Sequence, residues 1–249
     1  MIDVMSGRCV SIHQPAFLPW LGYFERILNS DLHIVLDHVQ YEKNSFINRN
    51  KIKTPQGSIW LTVPVTTKGK FGSNPICDLK ISQHNPWQKK HLKAIMFNYA
   101  KAPFFMNYSD FLQDMFSRSW ENIADLNLHF IHFALRELKI TTPLIRSSEM
   151  QPKNAKSELV LELCQKSKAT KYLSGVLGKD YLDVKTFLEK GIEVEFQDYK
   201  HPQYRQLHGP FDSHLSILDL LLNYGPNSRD ILTSASGGEP MRKESKYEN

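Results

Sequence analysis

Four short stretches of the chain gather side chains suited to acid–base work and to holding anions. The first is Ile12-His13-Gln14-Pro15, where His13 titrates near neutral pH and Gln14 offers a donor and an acceptor. The second runs from Asp37-His38-Val39-Gln40-Tyr41 through Asn44 to Asn48 and Arg49. Arginine grips phosphate or carboxylate with two parallel hydrogen bonds, and asparagine reads sugar hydroxyls or base edges. The third is Ser174-Gly175-Val176-Leu177-Gly178-Lys179. Its glycines can present backbone N–H groups to an anion, although the P-loop spacing is absent. The fourth, Tyr199-Lys200-His201-Pro202-Gln203-Tyr204-Arg205-Gln206, again combines cations, rings and amides. Lys200 and Arg205 suit phosphates, and His201 suits acid or base work. Each stretch has a bland alternative: a histidine bonded to a nearby loop, a polar loop capped by its own Asp and Asn, or a plain turn.

The elements that position these stretches follow from apolar spacing. Cys9-Val10-Ser11-Ile12 reads as a strand that Pro15 stops, Leu18 to Leu28 as a helix with Pro19 in its first turn, and Leu32 to Leu36 as a second strand. Strand, helix and strand at this spacing form a βαβ unit with parallel strands. Ile59 to Val63 reads as a third strand, Leu79 to Ile81 as a short edge strand, and residues from about Pro86 to Leu138 as helical with a break at Pro103. A helix over Ser157–Lys166 then precedes a strand at Lys171–Leu173. A helix over Asp180–Glu189 precedes a strand at Ile192–Phe196, and Ile217–Leu222 is helical. The expected fold is α/β: a mostly parallel sheet with flanking helices, Rossmann-like, with a helical insertion around 86–140. A single domain over 1–232 and a disordered tail over 233–249 complete the expectation. In such sheets ligands bind at the carboxyl ends of the strands, where His13, Asp37, Pro64 and Ser174-Gly175 fall. The aromatics Phe17, Trp20, Tyr23 and Phe24 read as core, with one of them free to line a pocket.

Composition excludes several classes. Lys+Arg total 31 against 26 Asp+Glu, a net charge of +5, and hydrophobic residues make up 41%. These are values of a folded chain rather than a disordered or fibrous one. Basic patches such as Lys89, Lys90 and Lys93, and Arg242, Lys243 and Lys246, are scattered, and no nucleic-acid module is present, so attraction of an anionic small molecule such as a nucleotide explains the charge as well. There is no apolar run long enough to span a membrane, and the first residues do not read as a signal peptide. Three separated cysteines, Cys9, Cys77 and Cys164, suit a reducing cytoplasm. No HExxH or GxSxG is present, and His129 and His132 have apolar neighbours, so neither a metal centre nor a hydrolase triad is expected.

The ordered motifs resemble the WbqC-like family. Ile12-His13-Gln14-Pro15 with Leu18-Pro19-Trp20-Leu21-Gly22-Tyr23-Phe24 is similar to its opening signature. Asp37, Val39-Gln40-Tyr41, Asn48-Arg49-Asn50 and Trp60-Leu61-Thr62-Val63-Pro64 follow in order. Tyr172-Leu173-Ser174-Gly175, His201-Pro202-Gln203-Tyr204 and Leu215 to Leu221 continue the likeness, which spans about residues 8 to 226. Leu222 stands where the family usually has Phe. The resemblance implies a role in bacterial O-antigen or other surface-polysaccharide synthesis, with glycine transfer to an amino sugar as the suggested reaction. The opening also looks like that of the nucleotidyltransferase and pantothenate synthetase group. It departs from that group in having Trp20-Leu21-Gly22-Tyr23 where HxGH histidines would stand, and in lacking a KMSKS-type loop.

The expected function is therefore a transferase or ligase that forms an amide on an amino-sugar nucleotide or a lipid-linked sugar. His13, Asp37 and His201 are its candidate catalytic residues. Gln14, Gln40, Asn44, Asn48, Arg49, Ser174, Gly175, Lys200 and Tyr204 are its candidate substrate contacts. Asp37 would hold His13 or read a sugar hydroxyl. ATP is required if the donor is a free amino acid, and not if it is an acyl thioester or aminoacyl-tRNA. The alternative is a non-catalytic sugar-nucleotide-binding or assembly protein.

Overall fold

The computed structural model describes residues 7–67 and 74–234. Strand β1 (Cys9–His13), helix α1 (Leu21–Leu28) and strand β2 (Leu32–Val35) form the expected parallel βαβ unit. Leu18 takes a left-handed φ of 46° and Trp20 is the N-cap, so Pro19 lies before the helix rather than in its first turn. A hairpin follows, β3 (Arg49–Thr54) and β4 (Gly57–Thr62), paired antiparallel from Arg49↔Thr62 to Thr54↔Gly57. Then come α2 (Trp87–Tyr99), α3 (Phe105–Ser117) and α4 (Ile123–Glu137), matching the helical insertion. Strand β5 (Leu144–Arg146), α5 (Ser147–Met150), α6 (Lys156–Lys166) and β6 (Lys171–Ser174) lead to α7 (Val184–Glu189) and β7 (Glu193–Phe196). The described chain closes with α8 (Ile217–Tyr224) and α9 (Ser228–Ser234).

The main sheet has five strands in the order β5-β2-β1-β6-β7, all parallel. The chain builds outward from β1 to β2 and β5, then returns to the other side of β1. The switch point lies between β1 and β6, and there the carboxyl ends of a doubly wound sheet open a crevice. The structure is thus α/β with a Rossmann-like core.

Two readings change. Ile59–Val63 is not a strand of the main sheet: it joins β3 in a separate two-stranded sheet, with Ile59 and Trp60 exposed. The third sheet strand is instead the three-residue β5, too short to show a period. Leu79–Ile81 makes only isolated bridges, Val65↔Ile81 and Lys80↔Asn122. The tail expected from residue 233 begins inside α9, and its remainder from 235 lies outside the described residues.

Alternation along β1 and β2 sorts the core. Val10, Ile12, Leu32 and Ile34 pack with Leu159, Val160 and Leu163 of α6 and Phe187 of α7. The intervening residues Ser11, His13 and His33 turn to the other face, where ring contacts link His13 and His33 to Tyr23 of α1. A second, larger cluster joins α1 with the hairpin and with α2, α3, α4 and α8.

Candidate functional site at the switch point

The face of β1 and β2 toward α1 carries a buried polar seam. His33 Nδ1 lies 2.8 Å from Ser11 Oγ, which lies 2.8 Å from Ser30 Oγ. Ser30 Oγ in turn donates to the carbonyl of Ile27 at 2.9 Å. A carbonyl only accepts, so the chain has one direction: His33 Nδ1–H donates to Ser11, and Ser11 to Ser30. That fixes the tautomer, leaving the lone pair of His33 on Nε2. Nε2 is buried without a hydrogen-bond partner, and so is the hydroxyl of Tyr23, whose ring meets His33 edge-on at 5.6 Å. Tyr23 also meets His13 edge-on at 5.0 Å. His13 Nδ1 lies 2.8 Å from the carbonyl of Gln14, so its lone pair too is on Nε2.

Burial and then the nearby charge of Arg26 lower the pKa of His13 to about 4. Burial, followed by His13 and Arg26, holds that of His33 well below the usual histidine range. Burial raises the Tyr23 phenol. At neutral pH the site therefore offers two neutral imidazoles with open Nε2 lone pairs and one phenolic donor.

Arg26, one turn along α1 from Tyr23, is buried beside the switch point. Its Nε and Nη2 both donate to Gln197 Oε1, at 2.9 and 2.7 Å, just past β7. Gln197 Nε2 donates to the carbonyl of Gly22 and to Glu25, so a neutral amide bridges the cation and the carboxylate. Gly175 makes room for this guanidinium: a Cβ there would stand 2.7 Å from Arg26 Nη2. Gly178 is equally constrained, since a Cβ would stand 2.1 Å from Ser174 Oγ.

At the start of α1, Trp20 folds back over Gly22, where a Cβ would collide with the indole at 2.2 Å. Its ring stacks on His201 at 6.4 Å and meets Tyr199 edge-on at 5.7 Å. His201 Nδ1 faces the Pro202 carbonyl at 2.9 Å. His201 Nε2 and the Tyr199 hydroxyl are both buried without a partner. Four polar atoms without partners thus lie on α1, on the face of β2 toward it and on the segment after β7: the Tyr23 hydroxyl, His33 Nε2, the Tyr199 hydroxyl and His201 Nε2.

The sequence pattern of the WbqC-like protein family matches residues 14–231. The chain belongs to the WbqC-like family. A relative in Mycobacterium tuberculosis, described as uncharacterized protein Rv1507c, is 38% identical over 225 residues, covering 90% of this chain and 96% of the relative. No solved structure matches the chain.

In this WbqC-like protein the candidate residues fall into separate groups. Among the described residues no hydrogen bond or ion pair joins any two of His13, Asp37, Arg49 and His201. His13, Ser174, Gly175 and His201 belong to the switch-point region. Asp37 does not hold His13. Its fully buried carboxylate accepts from Arg146 Nε at 2.5 Å, from Ser147 Oγ at 3.1 Å, and from Ser148 N and Oγ at 2.9 Å each. That knot ties the end of β2 to the start of α5, and the buried charge is fully engaged. Ser174 Oγ donates to the carbonyl of Gly175 at 3.1 Å.

Asn44, Asn48 and Arg49 line a different cleft of about 270 Å³, together with Tyr41, Lys43, Thr62 and Thr67. Among the described residues no carboxylate lines it, and Arg49 lies 4.5 Å above the Trp60 ring with its Nε buried and without a partner. Asn48 is committed there, donating to the Val63 carbonyl at 2.8 Å and accepting from the Tyr41 hydroxyl at 3.1 Å. Gln40 staples Asn74 and Tyr41. The Tyr204 hydroxyl donates to Asp219 at 2.9 Å inside the core, so it is not presented to a ligand. Lys200 is exposed. Among the described residues no group of three or more His, Cys, Asp or Glu is arranged to hold a metal ion.

Sequence reasoning missed Arg26, His33 and Gln197, and set Tyr23 among the core aromatics. The available signal was Ser11 and His33, polar residues inside two otherwise apolar strands. Arg26 and Gln197 are 171 positions apart and carry no joint signal.

Proposed function

We propose that this WbqC-like protein acts in bacterial surface-polysaccharide synthesis as a transferase that forms an amide on an amino sugar, with the switch-point crevice as its active site. The observation that supports this most is the pair of buried polar atoms without partners, His33 Nε2 and the Tyr23 hydroxyl, with the Tyr23 ring against His13, whose Nδ1 bond leaves its lone pair on Nε2, and with the charge of Arg26 nearby. Buried polar groups that cost stability and serve no internal bond are the mark of a ligand site. In the proposed step the sugar amine attacks the acyl carbonyl. A C–N bond forms, the bond from the carbonyl to its leaving group breaks, and that group departs with the electron pair. His13 Nε2 takes the proton lost by the amine, and Tyr23 donates to the carbonyl oxygen as charge develops there. Arg26 favours an anionic substrate, such as a nucleotide- or lipid-linked amino sugar. The acyl donor is an activated amino acid: an adenylate made from ATP, a thioester or an aminoacyl-tRNA. The acceptor lies on the cytoplasmic side of the membrane. Among the described residues no helix is long and apolar enough to cross one.

One observation favours a second reading, sugar-nucleotide binding without turnover: with its pKa lowered to about 4, His13 is a weak base. An anionic substrate would offset Arg26 and raise that basicity, as the transferase reading requires. The experiment incubates the protein with an amino-sugar nucleotide and, in turn, glycine with ATP, a glycyl thioester or glycyl-tRNA, and follows acylation of the sugar by mass spectrometry. His13→Ala should cut turnover by roughly 10²- to 10⁴-fold while leaving substrate affinity within a few fold. Undiminished turnover would remove His13 from the mechanism. Binding of the sugar nucleotide with no acylated product from any of the three donor types would favour the binding reading.

A further inference from the structure

The two long faces of α2 have opposite surroundings. Trp87, His91, Ile95, Asn98 and Tyr99 are buried, as an inward stripe must be. The outward stripe is not the usual mixture of charged signs. It combines Leu92, Met96, Phe97 and Ala100 with Lys89 and Lys93, and these six residues line an open groove of about 490 Å³. Lys90 and Lys101 stand beside it, both exposed. Phe97 is 83% exposed, an extreme value for a phenylalanine on a regular helix. Residues 79–109 contain no aspartate or glutamate. None of these four lysines forms an ion pair with a described residue.

We propose that this outer face of α2 docks on the surface of an anionic lipid bilayer. Apolar side chains that project between lysines fit the headgroup boundary. The rings and thioethers enter the acyl edge, while the long lysine stems lie along the apolar surface and leave their charges among the phosphates. Charge decides the occupant. A second copy of this face would set four lysines against four lysines, none of them ion-paired with a described residue, so self-association through it is disfavoured. A bilayer rich in anionic headgroups supplies both the charge and the apolar layer. The inference does not depend on the chemistry of the switch-point crevice, since the face lies on another helix.

The test is co-sedimentation of the full chain with vesicles of phosphatidylcholine alone and of phosphatidylcholine with phosphatidylglycerol in a two-to-one mixture. The protein should bind the anionic vesicles at low salt, release at high salt and ignore phosphatidylcholine. Replacing Lys89, Lys90, Lys93 and Lys101 together by Gln should weaken binding roughly a hundredfold or more, because each lysine near the surface adds about fivefold. Phe97→Ser should weaken it about tenfold with the charge intact. Both variants alter exposed positions and should keep the parent melting temperature. Gln at Arg242, Lys243 and Lys246 should leave binding unchanged. The proposal fails if the full chain does not sediment with anionic vesicles, if it binds both vesicle types alike, or if the Arg242, Lys243 and Lys246 variant rather than the α2 variants abolishes binding.

Discussion

On one face of the β1–β2 ribbon, Val10, Ile12, Leu32 and Ile34 pack against apolar side chains of α6 and α7. On the other, Ser11, His13 and His33 face α1, and two polar atoms there, His33 Nε2 and the Tyr23 hydroxyl, are buried without partners. Alternate residues of the same two strands supply both faces, so backbone and neighbouring strands are shared. The apolar face does what folding needs. The polar face works against it, since each buried unpartnered group costs about 1–3 kcal/mol. On the proposed function, those groups are kept for a molecule that completes their hydrogen bonds. The same contrast explains why Asp37 is a poor catalytic candidate despite its strand-end position. Its oxygens already accept from Arg146, Ser147 and Ser148, and a fully satisfied buried carboxylate has no capacity left for a ligand.

The comparison can be broken in graded ways, and the largest effect should come from acid. Histidines that are neutral when folded and protonate at their ordinary pKa when unfolded make the unfolded state bind more protons. Stability is then complete above pH 6.5 and falls as pH drops toward the folded values. Those are about 4 for His13 and for His91, and well below the usual range for His33. Each contributes about 1.4 kcal/mol per pH unit over that window, so going from pH 6.5 to 5 should cost on the order of 5 kcal/mol. Urea titrations across that range measure it. A flat profile would mean that His13, His33 and His91 all find partners when protonated. His33→Phe should flatten the slope by about one proton.

Next in size is the apolar face. Ile34→Ala should destabilise by roughly 2–5 kcal/mol through the cavity it leaves, without altering the affinity of any switch-point ligand beyond the stability loss. A change in affinity at constant folded fraction would show that the two faces are coupled. Gly175→Ala reaches the seam from outside: its methyl group meets Arg26, and overpacking of this kind costs about 1–3 kcal/mol. Here ligand affinity should fall as well, since Arg26 must move. Binding and melting curves on the same variant separate the two losses.

The smallest stability effect is the most telling. Tyr23→Phe removes a buried hydroxyl that has no partner, so the free protein should be unchanged or up to about 1 kcal/mol more stable. The same change should weaken a ligand that accepts from that hydroxyl. A destabilisation above about 1 kcal/mol would assign the hydroxyl a structural bond and remove the reason for placing the site in the seam.

Much of this fold is legible in the residues. Val10, Ile12, Ile34 and Val35, with their β-branched side chains, mark β1 and β2, and the loop-bounded run at Lys171–Leu173 marks β6. Strand β5 is not legible because three residues carry no period, and Pro143 just before it suggests a turn. The Ile59–Val63 run is apolar enough to pass for a buried strand. Its partner β3, Arg49-Asn50-Lys51-Ile52-Lys53-Thr54, is polar enough to pass for a loop. Only the pairing reveals a hairpin, with Trp60 lying under Arg49 and Lys51.

For the site, the residues alone determined that His13 ends a strand, that glycines follow β6 and that Tyr199 to His201 follow β7, because these depend on local spacing. The family pattern was equally legible, since ordered motifs along the chain survive without any knowledge of contacts. Tertiary structure decided the rest. It set β6 rather than β5 beside β1, brought Gln197 to Arg26, turned Ser11 and His33 toward α1 and gave Asp37 to Arg146. The reason is physical: side-chain periodicity encodes which groups leave water, whereas the order of the crossovers decides which distant groups they then meet.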